Sequence, residues 1–169
     1  MNDLTIRPLR LDDCARIAEA ERAQGWNASP EKYARRLSDA EAGLCVSLVA
    51  ELDGAPVGYV NLYHAARHGP FAGMGLPEIV DFGVLERCRR HGIGGMLMDA
   101  AEALAFLESD IVTLGVGLHA GYGAAQRMYV RRGYVPDGSG VWYMDEPLAP
   151  YSDACANDDD LVLYLSKHK

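Results

Sequence analysis

No Gly-Lys dipeptide occurs anywhere in the chain, which excludes the Walker-type phosphate loop, since that loop needs Gly-Lys followed by Ser or Thr. Any Cys-x-x-Cys pair is equally absent: Cys14, Cys45, Cys88 and Cys155 lie far apart. With no basic or apolar leader at Met1-Asn2-Asp3-Leu4, this spacing predicts reduced, mostly buried thiols in place of a disulfide framework. The best candidate for a membrane span, Ile93 to Leu107, is interrupted by Asp99 and Glu102 and falls short of the roughly 18 apolar residues required. Positive charge is scarce too. The 16 Lys and Arg set against 24 Asp and Glu leave −8, which would repel a phosphate backbone. These absences set aside membrane insertion and general nucleic-acid binding, and they predict a cytoplasmic protein.

What is present is 169 residues, 49% of them hydrophobic, and 18 glycines that are clustered instead of spread. That size fits a core of its own. Leu4 to Arg7 reads as a strand ended by Pro8, and Asp12 as the cap of a helix with Cys14, Ile17 and Ala18 on one stripe. Ser29-Pro30 then opens a second helix carrying Tyr33, Leu37 and Ala40, which Gly43 stops. Cys45 to Leu52, the turn Asp53-Gly54 and Val57 to Tyr63 predict a hairpin. His64 to Leu76 reads as a loop, and Glu78 to Val84 as an interior strand. Ile93, Leu97, Ala100, Leu104 and Leu107 recur at intervals of four, three, four and three, the mark of an amphipathic helix. Ile111 to Leu118 is a strand, Ala124 to Arg131 a short helix stopped by Gly133, and Val141 to Met144 and Leu161 to Leu165 are closing strands. Without internal repeats or a long linker, the expectation is one mixed α/β domain over residues 1–169.

The informative segment is Arg89-Arg90-His91-Gly92-Ile93-Gly94-Gly95, which joins the interior strand to the long helix. A helix N-terminus presents unpaired N–H groups and the positive end of its dipole. Gly92 and Gly94 let a phosphate approach that backbone without meeting a β-carbon, and Arg89 and Arg90 add positive charge. The alternative is a turn that merely packs strand on helix. A dinucleotide fingerprint would need a third glycine where Leu97 stands, and it would normally occupy the first strand-helix junction.

The pattern that matches is Arg-x-x-Gly-x-Gly, here Arg89, Gly92 and Gly94, after a strand and at the start of an apolar helix. With the order of elements, it resembles the GNAT superfamily of acetyl-CoA-dependent N-acetyltransferases over most of the chain. The resemblance implies a mixed sheet flanked by helices, the GNAT-like acyl-CoA N-acyltransferase fold, with acetyl-CoA as co-substrate. It further implies that Phe82, Gly83 and Val84 hold pantetheine through backbone groups like an added strand. Gly83, costly inside a strand, suggests a bulge or ligand approach; packing against a neighbouring aromatic would also account for it. The backbone of Arg89, Arg90, His91, Gly92, Ile93 and Gly94 is implied to hold the pyrophosphate.

The short helix reads Tyr122, Ala125, Met128-Tyr129 and Gly133-Tyr134. Tyr129 matches the family residue whose hydroxyl protonates the departing thiolate, whereas Tyr122 stands where Asn is usual. The attacking amine must be neutral, so a proton acceptor is needed. Glu78 is at the offset of the base glutamate in the histone-acetyltransferase branch, and Asp81 lies nearer the thioester. Three apart, they face opposite sides of a regular strand unless a bulge intervenes. Either could instead be a solvated or structural carboxylate.

The remaining signals carry no site. His64 and His68, Cys88 and His91, and Asp158-Asp159-Asp160 each lack a further ligand at suitable spacing, so no metal is expected. Trp26, Tyr33, Tyr63 and Trp142 either line an acceptor pocket or pack in the core. The expected reaction is direct transfer of the acetyl group to a primary amine of a small molecule, with backbone N–H near Val84 stabilising the oxyanion. A protein or peptide acceptor, or a non-catalytic acyl-CoA sensor, are the alternatives, and a homodimer is left open by the resemblance.

Overall fold

The computed structural model describes residues 3–169. These form two compact units, and the chain alternates between them: residues up to His64 with Ile79–Leu107, and Ala65–Glu78 with Glu108–Lys169. Within the described residues, no helix is long and apolar enough to cross a membrane.

The first unit contains β1 (Leu4–Pro8), α1 (Leu11–Ala23), α2 (Pro30–Glu41), β2 (Cys45–Leu52), β3 (Ala55–Tyr63), β4 (Glu78–Val84, of which Glu78 counts with the second unit) and α3 (Ile93–Glu108, from Glu108 likewise). Its strands lie in the order β1-β2-β3-β4, with β1/β2 and β2/β3 antiparallel. The hairpin forms as the sequence predicts, because Asp53 and Gly54 both take positive φ, +49° and +77°, as a two-residue turn of the primed type requires. Ser29 and Pro30 open α2 as expected.

Two local readings need correction. α1 begins at Leu11 with Arg10 as its cap, so Asp12 sits inside the first turn. The residue that fixes this end is Asp13, whose Oδ2 accepts from the Arg10 backbone N–H at 2.8 Å while Arg7 grips both of its oxygens at 2.6 and 2.9 Å. In α3 the buried positions are Ile93, Leu97, Met98, Ala101, Glu102 and Ala105, whereas Leu107 is 81% exposed. The buried face is turned about a quarter of the way round from the predicted stripe, given roughly 100° per residue. Apolar residues cover most of α3, so periodicity alone fits more than one face.

Small residues let β3, β4 and α3 approach. A Cβ on Gly58 would lie 2.9 Å from the carbonyl oxygen of Gly83 and 3.1 Å from Leu97 Cδ1. A second buried cluster joins α1 and α2 to the sheet through Ile17, Ala18, Tyr33, Val49 and Tyr59.

The second unit contains β5 (Ile111–Gly117), α4 (Gly123–Arg131), β6 (Val135–Tyr143), β7 (Glu146–Pro147) and β8 (Leu161–His168), with strand order β5-β8-β6-β7 and every pairing antiparallel. β6 starts six residues earlier than the sequence reading, since Gly138 and Gly140, both at positive φ, interrupt its alternation where its register on β8 shifts. Part of the predicted loop is ordered as a 3-10 turn, Gly69–Phe71, whose Phe71 packs with Ala66 and Tyr164.

Gly58→Ala is expected to lower stability by about 1–3 kcal/mol, because the nearest atom is backbone and cannot rotate away. A reduced urea midpoint with an unchanged slope would show it.

Candidate active site

In the first unit the strand-loop-helix segment is built from two reversals. Arg90 has φ +64° and Gly92 φ +80°, and α3 starts at the next residue. A side chain at Gly92 would be strained by that backbone, although the space around it is open, as it is around Gly95. The first helical N–H groups, from Ile93 onward, therefore emerge beside two positions without side chains, and such groups have no partner within the helix. Ile93 and Leu97 anchor this end in the core at 2% and 0% exposure. The arrangement can hold an anionic oxygen through main-chain donors.

The arginines divide the work. Arg89, Arg90 and His91 are all exposed, but they are not equally engaged. Arg89 folds back: Nε donates to the carbonyl of Val84 at 3.2 Å, and the guanidinium lies 5.3 Å from the Trp26 ring centroid and 3.9 Å from Glu86. Its side chain ties the loop to the end of β4, a role that the sequence did not separate from that of Arg90. Gln24 supports the same region, its Oε1 accepting from the Glu86 N–H at 3.0 Å.

On β4, the glycine and a backbone reversal are separate features. A Cβ on Gly83 would lie 2.9 Å from Cζ and the hydroxyl of Tyr59, so packing against an aromatic accounts for the glycine. Tyr59 cannot yield easily, since its hydroxyl donates to the buried Glu21 carboxylate at 2.8 Å, and Tyr33 donates to the other oxygen. Burial foremost pushes the pKa of both phenols above the ordinary tyrosine range. The backbone reversal is two residues earlier, at Asp81, where φ is +51°. Asp81 faces α2, with Arg36 Nε at 2.8 Å and Lys32 Nζ at 3.5 Å. It is a paired carboxylate. Phe82 and Gly83 are half-buried and Val84 is buried.

In the second unit, Glu78 is 7% exposed, and its carboxylate has no hydrogen-bond or ion-pair partner among the described residues. Burial, and secondarily the charge of Asp145, push its pKa up to about 7. That places a proton acceptor in the range useful for an amine. Tyr129, on α4, is buried and stacks edge-on with Tyr134 at 5.7 Å between ring centroids. Burial first, then Tyr122, raises its pKa above the ordinary value. Tyr122 is engaged with Asp159, its hydroxyl donating to Oδ1 at 2.9 Å. Of the four aromatics considered for an acceptor pocket, Tyr33 is core, Trp142 packs on Tyr164, Tyr63 binds Arg36 and Trp26 stacks on Arg89.

The family model described as "Acetyltransferase (GNAT) family" matches residues 11–134, most of the chain, including β4, the loop Arg89–Gly95 and α3. The chain belongs to the GNAT family. Members of this family are acetyl-CoA-dependent N-acetyltransferases, so the enzyme class and the co-substrate expected from the sequence hold for this protein. Three similar solved structures agree with the fold: Ard1 from Thermoplasma volcanium (20% identity, 98% of this chain and 97% of that chain, TM-score 0.69), the ribosomal-protein-alanine N-acetyltransferase from Brucella melitensis (19%, 98% and 99%, 0.67) and the PaiA N-acetyltransferase from Thermoplasma acidophilum in complex with coenzyme A (16%, 99% and 99%, 0.67). No curated protein sequence matches the chain. For this GNAT protein the loop geometry fits the expected co-substrate: the chain offers backbone donors and left-handed turns where an extended diphosphate requires close approach.

The raised pKa of Glu78 has a consequence for stability. Between its ordinary value of 4.5 and about 7, the folded protein binds this proton more tightly than the unfolded chain does. Its contribution is therefore full at low pH and is lost as pH rises through that window, by up to about 3 kcal/mol. Glu78→Gln is expected to gain stability relative to the parent as pH goes from 4.5 to 8, in denaturant melts run side by side.

Proposed function

We propose that this enzyme transfers the acetyl group of acetyl-CoA directly to a primary amine of a small molecule, with residues 1–169 acting as one catalytic domain. The observation that carries the cofactor half is the start of α3, where Gly92 at φ +80° opens the backbone to an anion. The acetyl-CoA thioester supplies the activated acyl group. The protein's part is to bind the diphosphate at the main chain of Arg89–Gly94, to align the pantetheine along Phe82–Val84 and to manage two protons.

Glu78 is the proposed proton acceptor for the amine. Its support is chemical: a buried carboxyl with a pKa near 7 is partly ionised at neutral pH and basic enough to draw a proton. Asp81 is the weaker candidate, because Arg36 and Lys32 already hold its oxygens. Tyr129 is the proposed donor to the departing sulfur. Burial makes this phenol a weaker acid, but desolvation also disfavours a bare thiolate and strengthens its demand for a proton.

A second reading, in which the amine belongs to a protein or peptide, draws on the likeness to the ribosomal-protein-alanine N-acetyltransferase. Thiol release from acetyl-CoA, measured against a panel of small amines and a panel of peptides, separates the two. Tyr129→Phe is expected to slow turnover by about 10²-fold or more while leaving the binding of coenzyme A within a few-fold. For the parent, kcat/KM should climb with pH and level off above about 7, and Glu78→Gln should abolish that limb. Unchanged turnover in Tyr129→Phe, or a limb that survives Glu78→Gln, would remove the corresponding residue from its role.

A further inference from the structure

Asp81 is an aspartate at φ +51° in the middle of a strand, a conformation disfavoured for any residue with a β-carbon. What surrounds it is organised around that reversal. Asn61 Nδ2 faces the carbonyl oxygens of Val80 at 3.3 Å and Asp81 at 3.4 Å, while Asn61 Oδ1 accepts from the Ser47 hydroxyl at 2.7 Å. The side chain thus supplies a donor group to the two carbonyls at the reversal. From α2, Arg36 donates from Nε at 2.8 Å and Nη2 at 2.5 Å to Asp81 Oδ2, and Lys32 Nζ lies 3.5 Å from Oδ1. Arg36 is itself aimed by Tyr63, whose hydroxyl accepts from Nη1 at 2.6 Å and donates to Asp39 at 2.5 Å. The side chains of Arg36 and Asp81 are only 22% and 23% exposed, so the pair is shielded from much of the solvent that weakens surface ion pairs.

We infer that Arg36 is a positioning residue: by gripping Asp81 it holds the left-handed kink that sets the facing of the main-chain groups of Phe82, Gly83 and Val84. The inference rests on the reading of that stretch as the acetyl-CoA edge. Successive peptides in a strand face opposite ways, so relaxing Asp81 to an extended conformation slips the following residues by one position. Every N–H and C=O of the edge would then turn over. Arg36 touches neither substrate in this scheme and acts only through the carboxylate it holds.

The test is a double-mutant cycle with an unusual second partner. Asp81→Gly removes the carboxylate but adopts positive φ without penalty, so the kink no longer needs a clamp. Calorimetric titration with coenzyme A should show Arg36→Met weakening binding about tenfold or more in the parent and less than about threefold in the Asp81→Gly background. Arg36→Lys, which keeps the charge and loses the fork, should fall between. Equal losses in the two backgrounds, or no loss in the parent, would overturn the inference, since a role confined to packing α2 would not be relieved by glycine at 81. If the parent itself fails to bind coenzyme A, the cofactor reading fails first, and thermal melts of the same four proteins then decide the clamp. Non-additive Tm shifts support it and additive shifts refute it.

Discussion

An α-helix leaves its first N–H groups without intrahelical partners, and in this protein that general deficit falls at a point the surrounding structure has fixed. Arg90 and Gly92 turn the chain twice, Ile93 and Leu97 bury the first turns, and the side chain of Arg89 binds the last carbonyl of β4. The donors are therefore held in place before anything binds them, so little ordering cost remains for the ligand. The net charge of −8 disfavours anions at long range, but screening limits that repulsion to about 10 Å at ordinary salt, and aligned amides act within contact distance.

The strand leading into this loop is shaped by two constraints that act independently. Tyr59, pinned by Glu21, leaves no room for a side chain at position 83, and Gly58 brings β3 against the Gly83 carbonyl. Asp81, two residues earlier, turns the backbone and is secured by α2 and Asn61. Packing thus sets how closely β4 lies on its neighbour, while electrostatics sets its facing. Both act on the three residues that follow or contain them, Phe82 to Val84.

Much of this was legible in the sequence, for local reasons. Ser29-Pro30, Asp53-Gly54 and Gly92 before Ile93 are short-range signals whose conformations need no tertiary information, and each forms where predicted. Strong periodicity located α3, but its apolar surface is too broad for spacing to select the buried face. The kink at Asp81 was invisible because no glycine marks it; its stability comes from Arg36, 45 residues away. Gly83 gave a visible signal that fitted a bulge, a ligand or a neighbouring aromatic, and only the fold identifies the aromatic, Tyr59, which lies on another strand. Arg89 and Arg90 are adjacent and chemically alike, both are exposed, and only the fold directs Arg89 toward Val84 and Trp26. The environment of Glu78, which gives that carboxylate its usable proton affinity, is likewise a product of packing.

The central claim, that main-chain donors at the start of α3 grip the diphosphate of coenzyme A, is tested most directly by following backbone amide resonances of isotopically labelled protein during titration with coenzyme A. The account predicts that the amides from Gly92 to Gly95 show the largest shifts, that they saturate together, and that they respond far less to pantetheine, which lacks the diphosphate. Saturable binding that leaves those amides unmoved, or an equal response to pantetheine, would contradict it.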